Sequence, residues 1–472
     1  MKIQLCLLVL LLAAVLHPRA MGQSYAGPEA TALANPPSAL PGAGCSPAPC
    51  VLPPTAASNG TYPDIFAPVS ANPKNPKELI VGSMDANCGI STQVGFHVSN
   101  DAGTTWSTTC LTYFSEFGRT WEPLDLPLVG YDLRGRAYIA GYYQDTDTGE
   151  YSLMGIETST DGVTWSTPTA AVGNGSSVIF WAALSVDQSP SSPGVNSVYV
   201  AGVNLNGNQL MVSHSRDGGK TWTQVLAAMD PSSIDYDPSL AVGKDGAVYL
   251  AWMHCPPAGF GVYCANSIEN VAFSKSSDGG ATWSKPRIIA KVLEVPNSCS
   301  CYPFGGLPNT TIGVTNTPAL ATDNSSGPYS GRLYATMFEW TGTYMRVLVI
   351  HSSDGGSTWS KPVFVATSSE THDQFFPWLS VSPTGLVGVS WLDRRNDPAN
   401  IDYQAYAAIS SDGGESFQPN VQLTTAFSNP DNNGYDGSLG QYAGNTWDGP
   451  DHFVAAWMDT SDGISSQDYV GG

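Results

Sequence analysis

Beyond about residue 62 the chain is built of short apolar runs broken by Gly, Asn and Asp, with no long stretch at helical spacing. The grammar is clearest in Pro238–Val242, a Lys244-Asp245-Gly246 turn, Ala247–Trp252, a long loop, Val271–Lys275, a second turn, and Ser284–Ile289. Four strands in succession are predicted there. Val248, Leu250 and Trp252 alternate with Tyr249 and Ala251, so both faces of this strand are apolar and the sheet is expected to pack on both sides. Units of this kind begin near Tyr62, Trp121, Phe180, Tyr236, Asn316, Phe375 and Tyr435. Such periodicity predicts a repeat architecture.

One turn recurs six times: Ser99-Asn-Asp101-Ala-Gly103-Thr-Thr-Trp106, Ser159-Thr-Asp161-Gly-Val-Thr-Trp165, Ser215-Arg-Asp217-Gly-Gly219-Lys-Thr-Trp222, Ser276-Ser-Asp278-Gly-Gly280-Ala-Thr-Trp283, Ser352-Ser-Asp354-Gly-Gly356-Ser-Thr-Trp359 and Ser410-Ser-Asp412-Gly-Gly414-Glu-Ser-Phe417. An Asp carboxylate accepts backbone N–H groups a few residues on, Gly supplies a left-handed backbone, and the aromatic residue covers the turn. Each Asp serves its own hairpin, which makes it a structural residue. Asp161 lies one residue closer to its Trp than the other copies, so its turn is expected to be distorted.

The repeated Ser-x-Asp-x-Gly-x-Thr-Trp motif resembles the Asp-box, or bacterial neuraminidase repeat, of the sialidase superfamily, over residues 62–472. The resemblance implies an all-β propeller with the boxes joining third and fourth strands on the face away from the active site. Seven units with six boxes predict a seven-bladed β-propeller of four-stranded antiparallel blades; six blades plus an appendix is the alternative. The last unit has a first strand around Ser438 to Tyr442, a second at Phe453–Trp457 and a third near Gln467 to Val470, and then the chain stops. Its fourth strand is expected from the segment around Cys50 to Pro54, closing the ring by strand exchange between the termini.

Composition narrows the setting. Lys2, an apolar run from Cys6 to Leu16, and Ala20-Met21-Gly22 read as an export signal over residues 1–22, the run being too short to span a bilayer. Residues 23–61 form a Pro/Ala-rich leader that includes the expected closing strand, and the propeller follows over 62–472. A secreted or periplasmic protein without a membrane span is expected. Eight cysteines remain after the signal; Cys45–Cys50, Cys88–Cys110 and Cys255–Cys264 are favoured as disulfides by proximity, leaving Cys299 and Cys301. Nothing has zinc-site spacing, and no cofactor or metal is expected. The formal charge of −21 makes nucleic acid an improbable partner, and the scarcity of Lys and Arg disfavours a polysaccharide lyase. A carbohydrate or glycoconjugate is the expected partner of a monomer.

By the geometry the resemblance implies, the site is formed where second strands end and where each blade begins. Family sialidases clamp a substrate carboxylate with three arginines and use a Tyr nucleophile, its Glu, and an Asp acid. Candidates for the clamp are Arg119, Arg346 and Arg394, with Trp181 as an aromatic wall. Tyr236 or Tyr435 is the candidate nucleophile, Glu339 its base, and Asp64 or Asp393 the acid. The family's early Arg-Ile-Pro or Arg-Leu-Pro signature is absent, since no Arg occurs between Gln23 and Gly118. A non-catalytic glycan- or protein-binding propeller is therefore the alternative to a sialidase-like glycoside hydrolase. Locally, Trp391-Leu-Asp393-Arg394-Arg395-Asn396-Asp397 also reads as an ion-pair and turn network, Asp145-Thr-Asp147-Thr-Gly149-Glu150 as a solvated turn, and His254 and His372 as loop hydrogen-bonding residues.

Overall fold

The computed structural model describes residues 50–472, apart from 59, 90–92, 260–261, 265–266, 297–304, 367–370, 435–436 and 464–465. The export signal, Cys45, Cys299, Cys301 and Tyr435 lie outside the described residues. One compact unit spans Pro54–Gly472.

Seven antiparallel sheets form the blades. Blade 1 runs Val69–Ala71, Leu79–Asp85, Val94–Ser99 and Ser107–Cys110, with Asp64–Ile65 also paired to its second strand. Blade 2 runs Arg119–Tyr131, Ala137–Asp145, Ser152–Ser159 and Thr169–Val172, and Phe114–Glu116 adds a fifth strand. Blade 3 comprises Ile179–Val186, Val198–Asn204, Gln209–Ser215 and Thr223–Met229. Blade 4 comprises Ile234–Val242, Val248–Cys255, Ile268–Ser276 and Arg287–Leu293. Blades 5 and 6 follow as Ala319–Thr322, Leu333–Trp340, Met345–Ser352, Val363–Phe364 and Gln374–Val381, Val387–Asp393, Gln404–Ser410, Val421–Gln422. Blade 7 contains Asn445–Trp447, Phe453–Asp459 and Gln467–Gly471, and Thr55–Ala56 supplies its outer strand in the register Thr55↔Val470, Ala56↔Tyr469. The ring is closed by the two ends of the chain.

Two details of blade 7 differ from the sequence reading. The closing strand is Thr55–Ala56, just beyond the expected Cys50 to Pro54. The inner strand is Asn445–Trp447 instead of Ser438 to Tyr442, because that earlier segment crosses the top of blade 1: Gly440 at φ +80° packs on the Phe66 backbone, and Ala443 bridges Ala67 in parallel.

The turns explain the repeat. In all six, the Ser Oγ donates to the Asp Oδ1 at 2.7–2.9 Å. In Asp278 and Asp354 the carboxyl is held down to about 2, first by the hydroxyl of Thr282 or Thr358 and then by its backbone N–H. Trp106, Trp222 and Trp359 donate their indole N–H to the box Gly carbonyl, whereas Trp165 and Trp283 have no partner for theirs among the described residues; the shortened box differs in that the Gly162 N–H reaches the Ser159 hydroxyl across three residues instead of four. The second box glycine also contacts the preceding blade. A Cβ on Gly356 would lie 2.4 Å from Phe273, and one on Gly414 would lie 3.0 Å from Tyr334. Left-handed backbone and close approach coincide at these positions, which only Gly satisfies without strain.

Register fixes which face is which. Box serines pair with the first residue of the second strand, as in Val248↔Ser276, Val198↔Ser215 and Leu333↔Ser352. The boxes therefore share a face with the turns between inner and second strands. The opposite face carries the starts of the inner strands and the ends of the second strands. Disulfides join Cys88 to Cys110 in blade 1 and Cys255 to Cys264 across the loop of blade 4. No helix among the described residues is long and apolar enough to cross a membrane.

Candidate functional site

Inner strands are kinked near that opposite face. Phe66, Leu126, Trp181, Asp237 and Phe376 all have φ between +43° and +65°, and the ladder skips residues at Phe180/Ala182, Tyr236/Ser239 and Phe375/Trp378. These are β-bulges, which redirect a side chain at the cost of local pairing. Proline follows within two residues at Pro68, Pro127, Pro238 and Pro377, removing a ladder donor where the bulge sits. The bulges of blades 2, 3, 4 and 6 and the kink at Phe66 in blade 1 thus bring large side chains together, where Phe66 and Tyr442 rings lie 5.7 Å apart and Trp181 and Tyr236 rings 5.9 Å apart.

Two carboxylates are built into this plug. Asp237 Oδ1 accepts from the Tyr442 hydroxyl at 3.0 Å and from Gln441 Nε2 at 3.4 Å, while its Oδ2 accepts from Thr317 Oγ1 at 3.2 Å. Blades 4, 5 and 7 are tied together by one side chain. Glu269 Oε1 accepts from the Tyr236 hydroxyl at 2.6 Å, and Oε2 accepts from Asn316 Nδ2 at 3.2 Å. Asp237 and Tyr236 are fully buried and Glu269 is 4% exposed. Desolvation pushes both carboxyls up to about 7, against the hydrogen bonds that favour ionisation. Part-buried Asp125, beside its own bulge at Leu126, is pushed up to about 6 by the same cause. Below the plug, on the Asp-box side, a channel of about 640 Å³ runs from Tyr442 and Trp378 to the turns between inner and second strands.

The sequence candidates are distributed as follows. Tyr236 pairs with Glu269, and Glu339 pairs with Arg346 at 2.6 Å at the end of blade 5. Trp181 is buried against Tyr236. Asp64 is fully buried at the junction of blades 1 and 7, away from the plug. Asp393 accepts from the Trp391 indole at 2.7 Å and pairs with Arg395, while Asp397 accepts from the backbone of Ala399, Ile401 and Asp402. That is the ion-pair and turn network. Arg119 sits 3.4 Å from Asp145 and 4.2 Å over the Tyr151 ring; Arg346 lies 3.5 Å over Phe364; Arg394 is fully buried, 3.3 Å from Asp373. Each cation is neutralised within its own blade. Asp145 accepts from the backbone of Asp147, Thr148 and Tyr151, which makes its loop a turn, and His254 Nδ1 lies 2.6 Å from Asp235. Sequence reasoning missed Glu269, Asp125, Thr317 and Tyr442. The Pro that follows the kink in four of the five inner strands was the signal for Asp125 and Asp237; Glu269 carries none.

The family model described as a BNR repeat-like domain matches residues 89–389. The chain belongs to that family. With seven blades and six Asp-boxes it is a BNR propeller of the sialidase superfamily. No curated protein matches it in sequence. Among solved structures it is similar to an intramolecular trans-sialidase from Ruminococcus gnavus, at 14% identity and a TM-score of 0.47, covering 72% of this chain and 92% of that one. It is also similar to the NanB sialidase of Streptococcus pneumoniae (11%, 0.46, covering 72% and 67%) and to an α-L-arabinanase of Penicillium chrysogenum (12%, 0.46, covering 89% and 98%). Likeness at this level carries no statement about chemistry.

Proposed function

We propose that this BNR propeller is exported and recognises carbohydrate on the face opposite its Asp-boxes, with neutral glycans preferred to sialylated ones. The observation that carries the preference is the neutralisation of all three candidate clamp arginines. Arg119 is paired with Asp145, Arg346 with Glu339 and Arg394 with Asp373. A clamp for a sugar carboxylate needs cations turned to the ligand, and a cation already matched by a carboxylate adds little attraction for a second. Part-exposed Phe180, Trp340, His254, Glu339 and Arg346 give that face the mix of aromatic surface and hydrogen-bonding groups that sugars use. The two disulfides support an oxidising compartment.

A second reading, glycoside hydrolysis, is favoured by the 2.6 Å bond from Tyr236 to Glu269, since a Tyr activated by a carboxylate is one route to a glycosyl-enzyme intermediate. It requires the buried pair to be uncovered when substrate binds. Glycan-array binding and release of methylumbelliferone from a panel of aryl glycosides separate the readings. Binding to neutral oligosaccharides, weakened by Trp340→Ala, with no release from the sialoside is the expected result. Turnover of the sialoside would overturn the preference. Turnover of a neutral glycoside that disappears in Glu269→Gln and Tyr236→Phe would establish the hydrolase reading. N-terminal sequencing of the secreted protein is expected to start at Gln23.

A further inference from the structure

The closure of the ring contains a second group of buried carboxylates that the proposed sugar face does not use. Asp64 and Asp85 face each other across the top of blade 1, in the register Asp64↔Asp85, and His97 reaches them from the third strand of the same blade. One ligand atom from each of Asp64, Asp85 and His97 falls within 4.8 Å of the others. Asp468, on the third strand of blade 7, brings its carboxylate to 3.9 Å from His97 Nε2. Ser83 Oγ lies 3.2 Å from Asp64 Oδ1. All five side chains are at most 1% exposed.

Their free atoms point inward. Asp64 Oδ2, His97 Nε2 and both carboxylate oxygens of Asp468 have no hydrogen-bond partner among the described residues, although water cannot reach them. Buried polar atoms in folded proteins are as a rule paired, and although single unpartnered atoms occur elsewhere in this protein, four of them converge in this one cluster, which calls for a ligand. The surrounding groups are already fixed. His97 Nδ1 is engaged by Thr108 Oγ1 at 3.0 Å, which directs Nε2 at the carboxylates; Asp85 Oδ1 is held by the Asn87 backbone N–H at 2.6 Å. Such outer hydrogen bonds orient ligands in metal sites. Gly95 leaves the space that Asp85 occupies, since a Cβ there would come within 2.8 Å of Asp85 Oδ2.

We propose that Asp64, Asp85, Asp468 and His97, with Ser83 in reach, bind one divalent first-row transition cation, of the Mn²⁺ or Zn²⁺ kind, that fastens blade 1 to blade 7. Three carboxylates and an imidazole make an oxygen-and-nitrogen donor set without sulfur, and the imidazole favours a transition ion over Ca²⁺ or Mg²⁺. A divalent cation would also relieve the mutual repulsion of the three acids, which no Lys or Arg among the described residues is paired with. The place gives the ion its role. Asp468 is on the strand whose outer neighbour is Thr55–Ala56, and its carbonyl accepts the Ala57 N–H at 2.8 Å. The ion would therefore reinforce strand exchange between the two ends of the chain.

The test is metal content and thermal unfolding of the full secreted chain, with inductively coupled plasma mass spectrometry and calorimetry. Protein dialysed against Zn²⁺ or Mn²⁺ and then freed of excess ion is expected to retain about one equivalent. After treatment with EDTA, adding either ion at a hundredfold excess over its dissociation constant is expected to raise the unfolding temperature by about 3–5 °C. His97→Gln and Asp468→Asn are expected to lose the equivalent and the shift together. An unfolding temperature insensitive to EDTA, Zn²⁺ and Mn²⁺ in the unaltered protein would overturn the proposal even if both variants failed to fold. Stoichiometric metal retained in folded His97→Gln, or a response to Ca²⁺ alone, would overturn it as well.

Discussion

Replacing Asp237 by Asn tests the account of the central plug. The carboxyl sits at about 7 in the folded protein against 3.8 for an unfolded Asp, raised mainly by desolvation. A folded-state value above the unfolded one means that the native protein holds the proton more tightly. The associated stability is complete below about pH 3.8 and is lost as pH rises to about 7. Between pH 5 and 7 the loss is about 1.4 kcal/mol per pH unit, or about 3 kcal/mol in all, with little further change to pH 8. Asn is neutral throughout and nearly isosteric; its oxygen can still accept from Tyr442 and its amide can donate to Thr317. It is also among the residues that best tolerate the φ of +45° at this position. The variant is expected to match the parent at pH 5 and to exceed it by about 3 kcal/mol at pH 8. Urea titrations at both pH values, each checked for reversibility, measure the difference. Glu269 contributes a slope of the same sign that is present in both proteins; its charge is the smallest of the causes acting on Asp237, so it largely drops out of the comparison. A variant that is less stable than its parent by the same amount at both pH values would refute the reasoning, because Asp237 would then be held ionised by its three donors.

Other expectations are more local. Removing the Cys88–Cys110 bridge with a double Ser substitution should destabilise the protein by about 3 kcal/mol, from the chain entropy of a 22-residue separation, as read by urea titration in non-reducing buffer. Gly356→Ala should lower the unfolding temperature sharply, since it combines a φ of +86° with a 2.4 Å approach to Phe273, whereas Gly331→Ala at the same φ meets nothing within 4 Å and should cost only the backbone strain, about 1–2 kcal/mol. Asp217→Ala should lower the unfolding temperature by releasing the Thr221 backbone N–H and hydroxyl and the Ser215 hydroxyl, while leaving glycan binding on the opposite face unchanged. A loss of binding at the parent's working temperature would contradict the placement of the boxes.

The number of blades, the position of each box and the closure by an N-terminal strand were legible in the sequence because they rest on local chemistry. Alternation along Val248 to Trp252 reports a strand packed on both faces, and Ser, Asp and Gly at fixed spacing report a turn whose hydrogen bonds span four residues. Even the distortion at Asp161 followed from one missing residue. The site was legible only as a ring of eligible side chains. Sequence order offers Glu339 as readily as Glu269 for Tyr236, and the structure joins Tyr236 to Glu269, whereas Glu339 is held by the neighbouring Arg346. Asp237 meets Tyr442 across 205 positions, and Asp468 meets His97 across the closure of the ring. Such partners depend on how far each bulge turns a residue toward the axis and on which strands closure sets side by side. Those are properties of the completed ring, so the tertiary structure alone decided which carboxylates are paired, which are buried together, and that each candidate clamp arginine already has a partner.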